Sequence, residues 1–252
     1  LAAPDPLPLI PAARQARILD HLKRSGVVAI AELASAIGVS PSTVRRDLDE
    51  LAAAGQLRRT HGGAVAPGAA RTTFEPAPAI AQHAHSAAKR AIGEAAAGLV
   101  EHGQSVVFDR SSTVLQAPRA VVARGLAITA VTNDLRIAAV LAEAPRVRVI
   151  VPGGTLRAGS YTLAGEPGQS FARGLSADIA FLGAHAISDG TVSETSIEIA
   201  GIKQAMAEGA RRLVVLADAS KFGAVAFCRV CRFRSASPSS MSASSSRCPS
   251  AR

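Results

Sequence analysis

Long apolar runs are missing from this chain of 252 residues. The longest segment free of Asp, Glu, Lys and Arg is 76–88, well short of the roughly 20 residues a spanning helix needs. No membrane association is therefore expected. Residues Leu1 to Pro11 are rich in proline and hold no basic residue, which does not read as a secretory signal; the expectation is a cytoplasmic protein. Cysteine is scarce too. Cys228, Cys231 and Cys248 all lie near the end of the chain, without a fourth ligand close by, so they do not read as a zinc site. His83 and His85 stand two apart without further ligands. No Walker-type glycine loop, no Gly-x-Gly-x-x-Gly and no His-Glu-x-x-His occurs, and Gly168-Gln169-Ser170-Phe171-Ala172 only approaches a nucleophile elbow. Neither a metal nor a cofactor is expected. Lysine is rare, at Lys23, Lys89, Lys203 and Lys221 alone. The preference for arginine, with abundant Ala and Gly, reads as a GC-rich coding sequence.

What is present is enough apolar content, 48%, to exclude disorder over most of the chain. The net charge of +9 suggests a nucleic-acid partner, yet its distribution does not. Residues 1–65 carry +2, residues 66–226 carry +2, and residues 227–252 carry +5. More than half of the excess sits in a terminal tail, so bulk charge shows nothing about DNA.

Hydrophobic periodicity divides the chain. After an extension over 1–13, residues 14–65 read as one unit. Ile18, Leu19 and Leu22 mark a first helix. Val27-Val28-Ala29 is a short extended piece, and Ile30, Leu33, Ala34 and Ile37 mark a second helix, ended at Gly38. Ser40 stands at an N-cap with Pro41 at the first helical position. Val44, Leu48 and Leu51 then form the buried stripe of a third helix, and 56–65 reads as a hairpin. Residues 66–87 form a linker with Pro67, Pro76 and Pro78. Beyond it, strands expected at Ser105–Phe108, Ala127–Thr132, Val147–Val151, Ile179–Leu182 and Leu213–Leu216 alternate with helices near 88–101, 113–123, 134–143, 166–174 and 195–209. Pro118 must shorten or kink the second of these. The fold class is α/β: an N-terminal winged helix-turn-helix, then an α/β domain over 88–226 with a mostly parallel sheet. From Phe227 onward the periodicity is expected to stop.

Two short helices joined through Gly38-Val39-Ser40 have the form of a helix-turn-helix, whose second helix enters the major groove. Burying Val44, Leu48 and Leu51 leaves Ser42, Thr43, Arg45, Arg46 and Asp49 outside. Ser40, Ser42 and Thr43 suit phosphates at the helix start. Arg45 and Arg46 suit guanine edges. Arg58, Arg59 and His61 on the hairpin suit the DNA backbone or a minor groove. The words Glu32-Leu33-Ala34, Gly38-Val39-Ser40, Ser42-Thr43-Val44-Arg45-Arg46-Asp47-Leu48 and Arg59-Thr60-His61-Gly62-Gly63-Ala64 closely resemble the DeoR family of bacterial transcriptional regulators. The resemblance implies that the protein binds double-stranded operator DNA as a homo-oligomer.

In the second domain, Asp109-Arg110-Ser111-Ser112-Thr113, Thr132-Asn133 and Gly153-Gly154-Thr155-Leu156-Arg157 each follow a strand. In open α/β sheets the loops at the carboxyl ends of strands bind ligands, and hydroxyls at a helix start favour an anion. These loops, with Phe181-Leu182-Gly183-Ala184, Gly190, Lys203 and Asp218-Ala219-Ser220-Lys221-Phe222-Gly223, resemble the effector domain of DeoR-type regulators, which is similar in fold to sugar-phosphate isomerases. The resemblance covers about 88–223 and implies a phosphorylated sugar as effector. The effector residues implied are Asp109, Ser111, Ser112, Thr113, Thr132, Asn133, Gly153, Gly154, Arg157, Lys203 and Lys221. A compact ammonium is not interchangeable with a guanidinium at a tight oxygen site, which singles out Lys203 and Lys221.

The expected function is a repressor of a sugar-catabolism operon, relieved by a sugar phosphate. The alternative is an isomerase-like enzyme. Such an enzyme needs a carboxylate base, and related isomerases carry acidic residues just after the strand matching Ile179–Leu182. Here Gly183 to Ser188 holds none, leaving His185, Glu194 and Glu198 as weaker candidates, so no enzymatic activity is expected. DeoR-type chains normally continue past Ser-Lys-Phe-Gly with elements that complete the sheet. The Ser- and Arg-rich 227–252 does not resemble them and reads as the product of a shifted frame or as a disordered basic tail. Either leaves an exposed sheet edge and a compromised sensor.

Overall fold

The structure is a computed structural model and describes residues 10–25, 27–59, 62–65, 82 and 84–233. Expectations for 1–9, for most of the 66–87 linker, and for His61, His83, Cys248 and 234–252 lie outside the described residues. The chain divides into two compact units.

In the first unit, α1 (Pro11–Ser25), α2 (Ile30–Ile37) and α3 (Pro41–Ala53) pack around Ile18, Leu22, Leu33, Val44, Leu48 and Leu51, all fully buried. Each such side chain is worth about 1.5–3 kcal/mol on burial. Gly38 ends α2 in the left-handed region at φ 76°, which a glycine adopts without a Cβ penalty. Ser40 is the N-cap of α3, accepting from the Thr43 N–H, and Pro41 opens the helix. Asp47, on the buried side of α3, accepts two bonds from the Arg14 guanidinium at 2.7 and 2.8 Å. That bidentate pair fixes α1 against α3. The expected hairpin is present as β2 (Arg58–Arg59) and β3 (Gly63–Val65), and β1 (Val27–Ala29) pairs antiparallel with β3. The three form a sheet in the order β1-β3-β2.

The second unit is built on a five-stranded parallel sheet. Its strands are β4 (Ser105–Phe108), β5 (Ile128–Thr132), β6 (Val147–Ile150), β9 (Ile179–Gly183) and β12 (Leu213–Leu216), in the order β12-β9-β4-β5-β6. The central strands are buried on both faces, as a helix-covered parallel sheet requires. Val106, Phe108, Ile179 and Phe181 enter one core with α4 (Ser86–Ala97), α5 (Gln116–Ala123) and α6 (Leu135–Ala142). Val107, Ala180 and Leu182 enter the other with α7 (Gly168–Arg173) and α8 (Ile197–Glu208). Pro118 acts by shortening: α5 begins at Gln116, so the proline falls in the first turn, where an N–H has no intrahelical partner anyway.

Three elements escaped the sequence pattern. A two-stranded hairpin joins β7 (Thr155–Leu156) to β8 (Leu163–Ala164), and β10 (Ala186–Ser188) pairs antiparallel with β11 (Thr191–Glu194). The third corrects the expectation that regular structure ends at Phe227. Residues Cys228–Arg232 form β13, which pairs with β11 and completes a second sheet in the order β10-β11-β13. Val230 and Cys231 are buried in succession, in the core shared with α8. The register shifts between Val192 and Ser193, and this bulge breaks the alternation by which a strand is recognised. Neither Cys228 nor Cys231 is in a disulfide, and no cluster able to hold a metal occurs among the described residues.

Candidate functional site

Two sites emerge, one in each unit. On α3, the Ser40 hydroxyl lies 2.8 Å from that of Ser42 and 2.9 Å from that of Thr43, so the hydroxyls expected to meet phosphate are gathered at the helix start. Arg45 and Arg46 are exposed, as are Ser40, Ser42 and, on the wing, Arg58. Arg59 is placed differently. Its Nε donates to Asp49 Oδ1 at 2.9 Å and its Nη1 to the Gly63 carbonyl at 3.0 Å, so this guanidinium ties the wing to α3.

In the second unit, the parallel sheet puts the loops after all five strands along one edge. The chain order reverses beside β4, the first strand of this sheet in sequence, which lies between β5 and β9; ligands of open α/β folds bind at such a point. There the ends of β4 and β9 approach closely. A Cβ on Gly183 would come within 2.3 Å of the Ser111 Cβ, so only glycine admits the Ser111 loop at this distance. Asp109 Oδ2 accepts from the Gly183 N–H at 3.0 Å and from Lys203 Nζ at 2.8 Å. Lys203 also contacts Glu194 Oε1 at 2.7 Å and donates to the Gly183 carbonyl. Three acceptors occupy the three N–H groups of an ammonium, and Lys203 is buried. It frames the site from inside and has no donor left over. Arg110, half-buried, stands at the rim with Nη2 3.8 Å from Glu194 Oε2.

Burial alone disfavours every charge in this cluster. It prevails at Asp109, whose pKa is raised despite Lys203. At Glu194 burial also acts upward, but the charges of Lys203 and Arg110 outweigh it and hold the carboxyl below its ordinary range. At Lys203 burial acts downward and is outweighed by Asp109 and Glu194, so the ammonium is strengthened. The four groups sum to zero charge when all are ionised, the condition under which buried ions are tolerated.

The remaining expected effector residues serve the loops around this centre. Asn133 Oδ1 accepts from the Arg110 N–H at 3.1 Å and its Nδ2 donates to the Leu163 carbonyl at 3.1 Å, linking the β4 loop to the hairpin. Thr132 Oγ1 accepts from the Asp134 N–H, and Asp134 caps α6. Ser111 Oγ accepts from the Thr113 N–H at 3.1 Å. Ser112 is half-buried and Thr113 buried, in the turn before α5; the loop thus meets a turn, not the helix start the sequence suggested. Gly153 and Gly154 follow β6, and a Cβ on Gly154 would meet the Ala164 carbonyl at 2.8 Å. Arg157 lies in the segment between β7 and β8. Lys221 ends a short turn after β12 beside Asp218. Sequence reading did not place Arg110 or Glu194 in the effector site. The signal available for Arg110 was its position within the Asp109–Thr113 motif; Glu194 had none beyond its charge.

Comparison with known proteins accords with both halves. The DeoR-like helix-turn-helix domain model matches residues 14–69, and the DeoR C terminal sensor domain model matches 84–237. The latter runs through β13, past the point at which the resemblance was expected to fade. The chain is 34% identical to the HTH-type transcriptional repressor CsqR of Escherichia coli, over 84% of this chain and 80% of that protein. It is 31% identical to the glycerol-3-phosphate regulon repressor of Escherichia coli, over 82% and 81%. Among solved structures, ribose 5-phosphate isomerase A of Methanocaldococcus jannaschii is similar over 55% of each chain, with 16% identity and a TM-score of 0.42. No helix among the described residues is long and apolar enough to cross a membrane. With both domain models matched in order and relatives aligned over most of their length, the chain belongs to the DeoR family of DNA-binding transcriptional regulators.

Proposed function

We propose that this regulator is a repressor of an operon for the use of a phosphorylated sugar or polyol, and that the phosphorylated compound relieves repression. The observation that carries the reading is the exposed face of α3, where Ser42, Arg45 and Arg46 stand free of the core beside the capped helix start, in a family whose members are named as repressors. Two-fold related recognition helices read two half-sites, so the active form is a homo-oligomer on double-stranded operator DNA, acting in the cytoplasm. The effector occupies the carboxyl edge of the sheet. Its phosphate lies against the Ser111–Thr113 turn, with Arg110 at the rim and Arg157 and Lys221 on the flanking loops. Lys203 and Asn133 hold those loops in place. The effector acts by binding one arrangement of the protein better than the other, since equal affinity shifts nothing.

The test is fluorescence anisotropy of the full chain on the DNA upstream of its own operon, at about 0.15 M salt because salt governs such affinities, with and without a panel of sugar phosphates. Specific binding that one member of the panel releases is the expected result. Arg45→Ala and Arg46→Ala each weaken specific binding by about 1–3 kcal/mol. Lys221→Ala spares binding and lowers the response to effector. Specific binding that no phosphorylated compound alters removes the effector half of the proposal, and the absence of specific binding removes all of it.

A further inference from the structure

A helix turns about 100° per residue, so Ser42, Arg45, Arg46 and Asp49 share one face of α3, with Asp49 near its centre. Val44, Leu48 and Leu51 occupy the opposite, buried side. A carboxylate in the middle of a DNA-facing surface is unfavourable on a phosphate-lined groove. Asp49 is 66% exposed, so nothing in the packing of the domain requires an acid there. Its partner is Arg59 of β2, at 2.9 Å, and the same guanidinium donates to the Gly63 carbonyl of β3. An exposed pair of this kind is weak and screened by salt, and a phosphate competes readily for the arginine.

We propose that Asp49 is a base-reading residue. On operator DNA, Arg59 passes from Asp49 to a backbone phosphate, and the freed carboxylate accepts a hydrogen bond from the N4 amino group of a cytosine in the major groove. The chemistry selects that base. A carboxylate offers only acceptors, while guanine presents N7 and O6 acceptors, thymine an O4 acceptor, and adenine an acceptor beside its amino donor. Over guanine or thymine Asp49 faces only acceptors, and over adenine the amino donor is flanked by the N7 acceptor; on such sequences it retains Arg59 and withholds one phosphate contact. It raises specificity both by attraction to the right base and by weakening the hold on wrong ones. This inference rests on the operator-binding reading above.

The test is selection from a randomised duplex library by the full-length wild type, Asp49→Ala, Asp49→Asn and Arg59→Gln proteins, with melting curves to show that each variant folds as the wild type does. The wild type is expected to enrich a C·G pair at one position in each half-site. Asp49→Ala loses that preference, roughly tenfold at that position alone, and binds mixed-sequence DNA more tightly. Asp49→Asn moves the preference towards adenine, whose edge matches a side-chain amide, a shift that a merely structural role would not produce. Arg59→Gln still favours the same base but weakens binding chiefly on sequences that carry it, where the phosphate contact is made, and lowers the salt slope there by about 0.9. An Asp49→Ala protein that selects the same bases as the wild type overturns the proposal. So does an Arg59→Gln protein that loses the same base as Asp49→Ala, since Asp49 would then act only as a strut for the wing. In both cases the wild type still enriches a sequence and operator binding stands. A wild type that enriches none overturns operator binding and this inference with it.

Discussion

The two units handle charge in opposite ways. On the DNA-binding unit, Arg45, Arg46 and Arg58 stand in solvent, and Arg59 is held by one exposed carboxylate. In the sensor unit, Asp109, Glu194 and Lys203 are sunk in the protein, and their charges balance only together with Arg110 at the margin. The contrast follows from what each surface meets. A duplex brings many phosphates and exchanges them for counterions, which favours cations left available. A small effector brings few charges, so the unit that receives it must be stable when empty, and its buried ions have to balance internally. Of the two lysines singled out by composition, Lys203 belongs to that internal balance, while Lys221 lies in the turn after β12.

The comparison can be broken most severely at Lys203. Replacing it by Met leaves Asp109 and Glu194 buried together without their shared counter-ion, and a loss of about 3–5 kcal/mol is expected, read from urea unfolding of the full chain. A loss below about 1 kcal/mol would mean that solvent reaches the cluster and that the balance matters little. A smaller effect is expected on the other side. Ser40→Ala removes the side-chain acceptor for the Thr43 N–H and costs about 1 kcal/mol, with operator affinity falling because the hydroxyl array at the start of α3 is lost; unchanged affinity would place phosphate elsewhere. The smallest effect is a titration. Asp178 accepts from the Ser105 N–H first and from its hydroxyl second, at 2.8 Å each, and its pKa is thereby lowered. Its contribution to stability is present above the ordinary carboxylate value near 3.8 and is lost as pH falls through the lower, folded value. Asp178→Asn should therefore flatten the decline in urea midpoint as the pH falls below about 4, and an identical decline in the variant would count against it.

Much of this architecture was legible in local pattern. The β4 and β12 strands stand where their apolar runs place them, and Ser40-Pro41 marks the start of α3 to the residue. Legibility failed where the determinants are not local. The bulge opposite Val192 lets two successive residues of β13 face the core, so a search for alternation passes over it. β7 and β8 are two residues each, too short to show a period. The cluster around Lys203 unites positions 109, 183, 194 and 203, which only the parallel topology brings together. The pairing of Arg59 with Asp49 depends on the path of the hairpin, whereas a helical wheel shows only that Asp49 points outward.

The place of β4 in its sheet bears on how the protein is made. This strand is the first of the five to leave the ribosome, yet it is the middle one. Chains emerge at about 5–20 residues per second, so β5 and β6 reach one side of it within seconds. The other side waits for β9, some seventy residues later in the chain. During that interval Val107 and its neighbours present an open edge and an uncovered face, while the residues of the DNA-binding unit have already been synthesised. The nascent chain thus holds every residue of its DNA-binding unit while the sheet of the second unit is still half assembled.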